Sequence, residues 1–198
     1  MYYYVNIDKE GFYIESDIHI LTVGDSYQDF LDGVFVQLSN VQLAYHNDHP
    51  EASVRDVLFV MSYEDGVVTF SEDYLPQVKN EKFAALEEYD ESDNINDFTV
   101  NGEIHAWFTP DERSNFKSSI ESAKTLGVEN LQLFIGDTLF TIPTTQAEVM
   151  LAQIQLYADN CYIRTKQHQI AIEALDSVAA VDAYDFTVGY PEKLNFNI

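Results

Sequence analysis

The feature that most constrains the fold of this chain is an apolar stripe at helical spacing in its last third. Its members recur every three or four positions, the spacing that places side chains on one face of an α-helix. They are Ala147, Met150, Leu151, Ile154, Tyr157, Ala158, Cys161, Thr165, His168, Ile172 and Leu175. The stripe predicts one helix from about Thr145 to about Leu175.

A helix of about thirty residues is long for so small a domain. The sequence leaves two explanations open for this length. Either the helix is broken by a kink or a turn near residues 160–166, or it extends beyond its domain and packs against a copy of itself.

Pairs of short apolar segments around glycine-containing turns predict β-hairpins. The predicted pairs are, in chain order, 2–7 with 12–14, 57–61 with 67–70, 98–100 with 103–108, and 131–135 with 138–142. Asn101-Gly102, which joins the third pair, is the strongest signal, because both residue types accept the positive φ of a tight hairpin turn. Four hairpins are therefore expected.

A second helix is predicted to begin after Thr109, which is followed by Pro110 and then by Glu112 three residues after the threonine. A hydroxyl cap, a proline at the first helical position and a glutamate at the third form a typical helix start. Gly127 is predicted to end this helix. Further along, residues 178–183 read as a short helix and residues 194–196 as an extended segment.

Between the first two hairpins the pattern is less regular. Residues 18–23 are predicted to be extended, and Asp25-Ser26 to cap a short helix that ends at Gly33. Strand character resumes over residues 34–38. The polar stretch 40–56 is predicted to be a loop.

The predicted elements indicate an α+β fold with two modules. Residues 1–78 form a strand-rich, acidic N-terminal module, and residues 98–198 form a C-terminal module of β-hairpins packed on two helices, one of them long. Residues 79–97, where acidic side chains cluster and hydrophobicity falls, are predicted to be an acidic linker or a short helix across 80–88.

The charge of the chain limits its partners. There are 34 acidic and 10 basic side chains, a net charge of −24. Residues 1–100 contribute −17 (21 acidic, 4 basic) and residues 101–198 contribute −7 (13 acidic, 6 basic). Nucleic acids and anionic membranes are therefore not expected partners, and the charge indicates either plain solubility or docking against a basic protein or cations.

Segments that direct export or membrane insertion are not evident. The first residues do not show the positively charged segment followed by an apolar segment that marks a secretion signal. No run of about 18 apolar residues, the length that spans a membrane, occurs in the sequence. Cys161 is the single cysteine, so it is expected to be a small core residue rather than part of a disulfide. We expect synthesis in a bacterial cytoplasm.

No catalytic, cofactor-binding or metal-binding residues are predicted. His46 and His49 are close in sequence and supply possible metal ligands, but a solvated polar loop is the preferred interpretation. His105 is expected to be a half-buried structural histidine and His168 a hydrogen-bonded core histidine. Residues 90–97 place oxygen-bearing side chains at alternate positions but lack the glycine and final glutamate of a calcium loop. Phosphate-loop and nucleophile-elbow motifs do not occur.

Aromatic residues are the candidates for partner binding, because rigid tyrosine and tryptophan rings are favoured at protein interfaces. The predicted set is Tyr2, Tyr3, Tyr4, Phe12, Tyr13 and Trp107. The first five crowd one hairpin, and the alternative is that they cover the core of the small N-terminal module.

The region from residue 89 to residue 194 resembles a C-terminal domain of unknown function in proteins of phages and prophages of gut bacteria. The matching elements are Phe98, Asn101-Gly102, Trp107, Arg113, the strand pair around Gly136, Met150-Leu151, Tyr157-Ala158, Cys161-Tyr162, His168 and the segment from Gly189 to Leu194. They cover a little over half of the chain. Residues 25–33 are also loosely similar to an element of tail-fibre assembly proteins.

The resemblance implies a structural virion protein of a tailed bacteriophage and no catalytic residues. We expect an attachment or adaptor component of a tail, fibre or capsid vertex that binds other virion proteins, forms a homo-oligomer and is located in the virion. The alternatives are a tail-fibre assembly chaperone and, from a different class, a carboxylate-based hydrolase.

Overall fold

The computed structural model describes residues 3–6, 11–14 and 35–198. The fold is α+β, as the sequence predicts. Two compact units are present, residues 1–77 and residues 78–198, and each is described by itself below. The predicted division at residues 78 and 98 into two modules and a connecting segment stays a prediction.

The first unit contains a three-stranded antiparallel sheet with the order β2-β1-β3. Its strands are β1 (Tyr3–Asn6), β2 (Gly11–Ile14) and β3 (Phe35–Gln37). The pairing of β1 with β2 confirms the first hairpin. The predicted extended segment at 18–23 and the helix ending at Gly33 lie outside the described residues.

The prediction of a loop over residues 40–56 is wrong. Two helices occupy most of it, α1 (Asn40–Asp48) and α2 (Val54–Leu58). Each helix is capped by a serine, Ser39 for α1 and Ser53 for α2. The serine hydroxyl accepts a hydrogen bond from the backbone amide three residues later, and the side chain of that later residue, Gln42 or Asp56, accepts one from the serine backbone amide. These reciprocal caps compensate for a composition that lacks a clear apolar stripe.

The second hairpin consists of β4 (Val60–Glu64) and β5 (Val67–Phe70). Asp65 and Gly66 both have positive φ, 50° and 78°, as a type I′ turn requires. The predicted first strand began too early, because residues 57 and 58 belong to α2. Val57 is fully buried and packs with Leu38 and Val54 in a small core.

Helix α3 (Tyr74–Glu91) is longer than the short helix predicted across 80–88, and the division between the two units falls within it. In the second unit its buried side chains are Val78 and Leu86, with 1% and 0% of their surface exposed. The lysines of this helix reach the other end of the chain: Lys82 donates hydrogen bonds to the carbonyls of Asp182 and Tyr184. This segment is therefore helical and packed.

The third hairpin, β6 (Phe98–Val100) and β7 (Ile104–Ala106), turns at Asn101 and Gly102 as predicted, with φ of 54° and 73°. A two-residue strand, β10 (Asn195–Phe196), runs parallel to β6. The Asn101 side chain donates to the carbonyl of Ile198 and accepts from its amide. The turn residue thus also holds the returning C-terminal segment.

The other predicted elements of the second unit are confirmed. Helix α4 (Pro110–Leu126) has the reciprocal cap of Thr109 and Glu112 and ends at Gly127 in a left-handed conformation. Strands β8 (Asn130–Ile135) and β9 (Thr138–Pro143) form the fourth hairpin.

Helix α5 (Thr144–Glu173) runs unbroken for 30 residues, so the first of the two explanations for its length, a break near 160–166, is wrong. The short helix α6 (Val178–Ala183) follows, as predicted. The inner face of α5 stays buried past the region of the expected break, because Cys161 and Thr165 lie against α3 and the C-terminal segment. The main core consists of Phe98, Val100, Phe108, Ile120, Leu133, Ile135, Ile142, Ala147, Met150, Leu151 and Ile154.

Polar contacts fasten the C-terminal segment to α5. The imidazole of His168, 1% exposed, lies 3.0 Å from the carbonyl oxygen of Val188 through Nε2 and 2.7 Å from the hydroxyl of Tyr184 through Nδ1. A carbonyl only accepts, so Nε2 carries the proton and Nδ1 accepts from the tyrosine. Arg164 donates to the same carbonyl. His168 is the hydrogen-bonded core histidine that the sequence predicts.

Substitution of Gly189 by alanine is expected to destabilise the second unit by about 2–4 kcal/mol. Gly189 has a φ of +83°, and an added Cβ would displace the Arg164 guanidinium, which would then lose its hydrogen bonds to the carbonyl of Val188. Gly127→Ala is the matched control, because its φ is +68° and nothing lies within 4 Å of the added Cβ. Urea unfolding should show a larger loss for Gly189→Ala; equal losses would contradict the role of Arg164.

The buried position of His168 predicts a pH dependence of stability. Burial, assisted by the nearby Arg164, lowers the pKa of His168 below its usual value of 6.5. As the pH falls, His168 therefore becomes protonated at a higher pH in the unfolded chain than in the folded chain. The contribution of His168 to the free energy of unfolding is at its maximum above pH 6.5 and decreases below it. The decrease between pH 7.5 and pH 5.5 should be smaller in His168→Gln; parallel pH profiles of the two proteins would contradict this assignment.

Candidate interaction surface

The aromatic residues predicted to bind a partner lie in both units. In the first unit, Tyr4 and Tyr13 are directly opposite in the β1–β2 register, and Tyr3 and Phe12 occupy neighbouring positions on the same two strands. Tyr2 lies outside the described residues. The role of this hairpin in partner binding stays a prediction.

Trp107 is half-buried in the second unit. Its ring meets the edge of the Tyr157 ring at a centroid distance of 6.0 Å, and the Arg113 guanidinium lies 5.6 Å from the Trp107 ring centroid. Arg113 also donates a hydrogen bond of 2.6 Å to the carbonyl of Phe108. Trp107 thus packs within its own unit, and its predicted contact with a partner would use only its exposed part.

The candidate metal ligands of the first unit are not arranged as a site. His46 lies on α1 and His49 follows its end; Nδ1 of His49 is 3.4 Å from a carboxylate oxygen of Glu51. In the second unit, Asp90, the first residue of the segment compared with a calcium loop, accepts a hydrogen bond from the Thr165 hydroxyl. Across residues 3–6, 11–14 and 35–198, no group of three or more histidine, cysteine or acidic side chains is placed to hold a metal ion.

A cluster of ionisable side chains joins three segments of the second unit. The carboxylate of Asp97, buried to 6% exposure, lies 3.0 Å from Nδ1 of His105 and 3.1 Å from Nζ of Lys193. Lys193 also donates to the carbonyl of Asp93. The prediction of a half-buried His105 is wrong: 69% of its side chain is exposed. It lies on the exposed face of β7, opposite to Ile104 and Ala106.

The outer face of α5 carries a second apolar stripe, opposite to the buried one. Val149, Leu156, Ile163 and Ile170 are spaced seven residues apart, and 57%, 62%, 52% and 71% of their surfaces are exposed. Seven residues are close to two helical turns, so these side chains align along one face. We call these four residues the outer stripe.

Amides flank one side of the outer stripe, and the charged side chains Asp159 and Lys166 flank the other. Gln153, Asn160 and Gln167 follow one side of it, again at seven-residue spacing, and all are exposed. Helix α5 has three acidic and two basic side chains, a net charge of −1, in a chain with a net charge of −24. This face is therefore nearly neutral on a strongly acidic protein.

A groove of about 770 Å³ lies next to the outer stripe, between α3 and α5 in the second unit. Phe83 and Ile170 supply apolar lining, and the charged lining consists of the acidic Glu87, Asp90, Glu91 and Glu173 and the basic Lys166. Ile170 belongs to both surfaces, so the outer stripe and the groove form one continuous surface.

Sequence reasoning missed the outer stripe. The buried stripe was sufficient to predict a helix at α5. The four aliphatic residues that lie between the residues of the buried stripe were not interpreted. The signal that would have revealed the outer stripe is the seven-residue spacing from Val149 to Ile170, read separately from the buried positions.

Comparisons with known proteins found no match among protein-family models, curated proteins or solved structures. None of the helices that the structure describes combines the length and apolar character needed to cross a lipid bilayer. The candidate surface is therefore interpreted from its own geometry and chemistry.

The two faces of α5 are expected to respond differently to the same substitution. Ile154→Ala, at a fully buried position, should cost about 2–5 kcal/mol of unfolding free energy because it leaves a cavity in the core. Ile163→Ala, at a position 52% exposed, should change it by about 0.5 kcal/mol or less. Chemical unfolding in dilute solution compares them; a large loss in Ile163→Ala would mean that the outer face supports the fold.

Proposed function

We propose that this chain is a non-enzymatic structural or assembly protein of a tailed bacteriophage, which acts through protein–protein interfaces. In this proposal it is an attachment or adaptor component of a tail, fibre or capsid vertex. It is made in the cytoplasm of the bacterial host and binds other virion proteins.

The observation that carries this proposal is the outer stripe of α5. Four large aliphatic side chains are more than half exposed along one face of the longest helix that the structure describes. Single exposed apolar residues are ordinary, but an aligned row next to an apolar groove is typical of a surface that another protein covers.

The charge supports a protein as the partner. A net charge of −24 repels the phosphates of nucleic acids and of anionic lipids. The nearly neutral outer face of α5 is where another protein surface approaches with the least electrostatic cost. The mostly acidic charged lining of the adjoining groove suits a partner with basic side chains.

The resemblance to phage and prophage proteins supports a phage particle as the place where the protein acts. Several residues that carry the resemblance have architectural roles here: Phe98 is fully buried in the main core, Tyr157 and Cys161 pack together, and His168 fastens the C-terminal segment. A pattern made of such residues is what a shared scaffold, rather than a shared active site, would preserve.

The experiment is quantitative mass spectrometry of particles from a strain that encodes the chain. Particles are banded in a density gradient, and peptides of this chain are compared with those of the major capsid protein across the band. A fixed ratio through the band is expected for a virion component. Peptides confined to the particle-free fractions would contradict it and favour the assembly chaperone.

A matched control tests whether the outer stripe is buried in an interface of the particle. Ile163→Asp should lower the ratio at least tenfold if this face is buried in the particle, because a buried unpaired carboxylate is costly. Leu126→Asp, at an exposed position of α4, should leave the ratio unchanged. Turnover of a substrate by the purified chain, lost on a single substitution without unfolding, would overturn the non-enzymatic proposal.

A further inference from the structure

We infer that the outer face of α5 binds the same face of a second copy of this chain, in an antiparallel pair with its two-fold axis at Ile163. The inference rests on the proposed function in one respect, that this face is an interface. It adds the partner, the direction of the two helices and the residues that meet.

The spacing of the outer stripe fits a helix–helix seam. Strict seven-residue spacing is the repeat with which two α-helices stay in contact by supercoiling gently around each other. With the axis at Ile163, the two copies of α5 overlap over residues 153–173, roughly 30 Å of helix. Leu156, Ile163 and Ile170 lie in this overlap, whereas Val149 faces residue 177, beyond the end of α5.

The flanking amides favour a partner of the same kind. An amide side chain both donates and accepts hydrogen bonds, so a row of amides is complementary to another row of amides. In the proposed pair Asn160 lies three residues before the axis and Gln167 four residues after it, which places each beside the other in the second copy. Polar residues in such positions set the register of paired helices at some cost in stability.

The charges on the other flank are self-complementary in the same register. Asp159 lies four residues before Ile163 and Lys166 three residues after it. In an antiparallel pair, Asp159 of one copy therefore lies beside Lys166 of the second copy, and the contact occurs twice. Within the chain, Asp159 accepts from Gln155 and interacts with the charge of Arg113. Lys166 donates to Gln169 and lies 5.5 Å from the Tyr162 ring centroid, and no ion pair joins it to a carboxylate among the described residues.

Apolar contacts complete the pair. Leu156 and Ile170 are each seven residues from Ile163 and would meet across the axis, while the two copies of Ile163 meet on it. The net charge of −1 on α5 keeps repulsion low at the seam, and at physiological salt the field of the remaining acidic surface is screened beyond about 8 Å. A parallel pair would instead bring the two different flanks together, so that Asp159 would lie beside the amides of the second copy and not beside Lys166.

The first test is the mass of the purified chain by sedimentation equilibrium over a range of concentrations. A monomer–dimer equilibrium is expected, and Ile163→Asp should weaken it at least tenfold because the two carboxylates would meet on the axis. Leu126→Asp is the matched control, with an equally new carboxylate at an exposed position of α4. A chain that stays monomeric, or a dimer that Ile163→Asp leaves intact, would overturn the inference.

A charge exchange gives a second readout that does not depend on a disruptive substitution. Asp159→Lys and Lys166→Asp should each weaken the dimer by about threefold to tenfold, since each places like charges together twice. The double variant restores opposite charges across the axis and should recover the original affinity. Failure of the double variant to recover would contradict the proposed register.

Cysteine cross-linking tests the direction of the helices. Leu156→Cys mixed with Ile170→Cys should form disulfide-linked heterodimers in preference to either homodimer. The native Cys161 is buried and should not interfere. Preferential Leu156→Cys homodimers would overturn the antiparallel arrangement. A chain that dimerises but is absent from particles would separate this inference from the proposed virion role.

Discussion

The buried face of α5 is the constraint on which the second unit depends. The sheets of the second unit are small: β10, β6 and β7 form one of three strands, and β8 and β9 form one of two. Sheets of this size need another element to cover before they are stable. They become stable by covering apolar positions of one long helix: Ile135 and Ile142 are fully buried in the same cluster as Ala147 and Ile154. The unbroken helix contributes to two clusters, the main core beneath the hairpins and a second one in which Tyr157 and Cys161 pack with Ile95 and the C-terminal segment.

The C-terminal segment is held by specific polar contacts in addition to the apolar packing of Leu194, Phe196 and Ile198 against the main core. His168 and Arg164 bind the carbonyl of Val188, Asn101 binds Ile198 at both of its backbone groups, and β10 pairs with β6. Each contact satisfies backbone groups that would otherwise be exposed or unpaired. The segment is thereby fixed in one position against α5, which leaves the opposite face of that helix exposed.

The two faces of α5 therefore have different roles: the inner face belongs to the core of the fold, and the proposed function rests on the outer face. The inner face is apolar and covered, and the outer face carries an aligned aliphatic row with almost no net charge. A protein with a net charge of −24 gains solubility from the rest of its surface. A neutral apolar strip on such a background restricts association to partners that match this strip, which is how an assembly protein avoids binding unrelated surfaces.

Short-range chemistry allowed much of this fold to be predicted from the sequence. Asn101-Gly102 and Asp65-Gly66 accept the backbone of a tight turn, and Thr109 with Glu112 caps a helix, whatever surrounds them. The helices over 40–58 were missed because their caps are local but their apolar faces are weak. Tertiary structure alone decided that α5 continues past residue 160 and that Val149, Leu156, Ile163 and Ile170 face outward. The reason is physical: periodicity shows that side chains share a face, but only the packing of distant segments determines which face is covered.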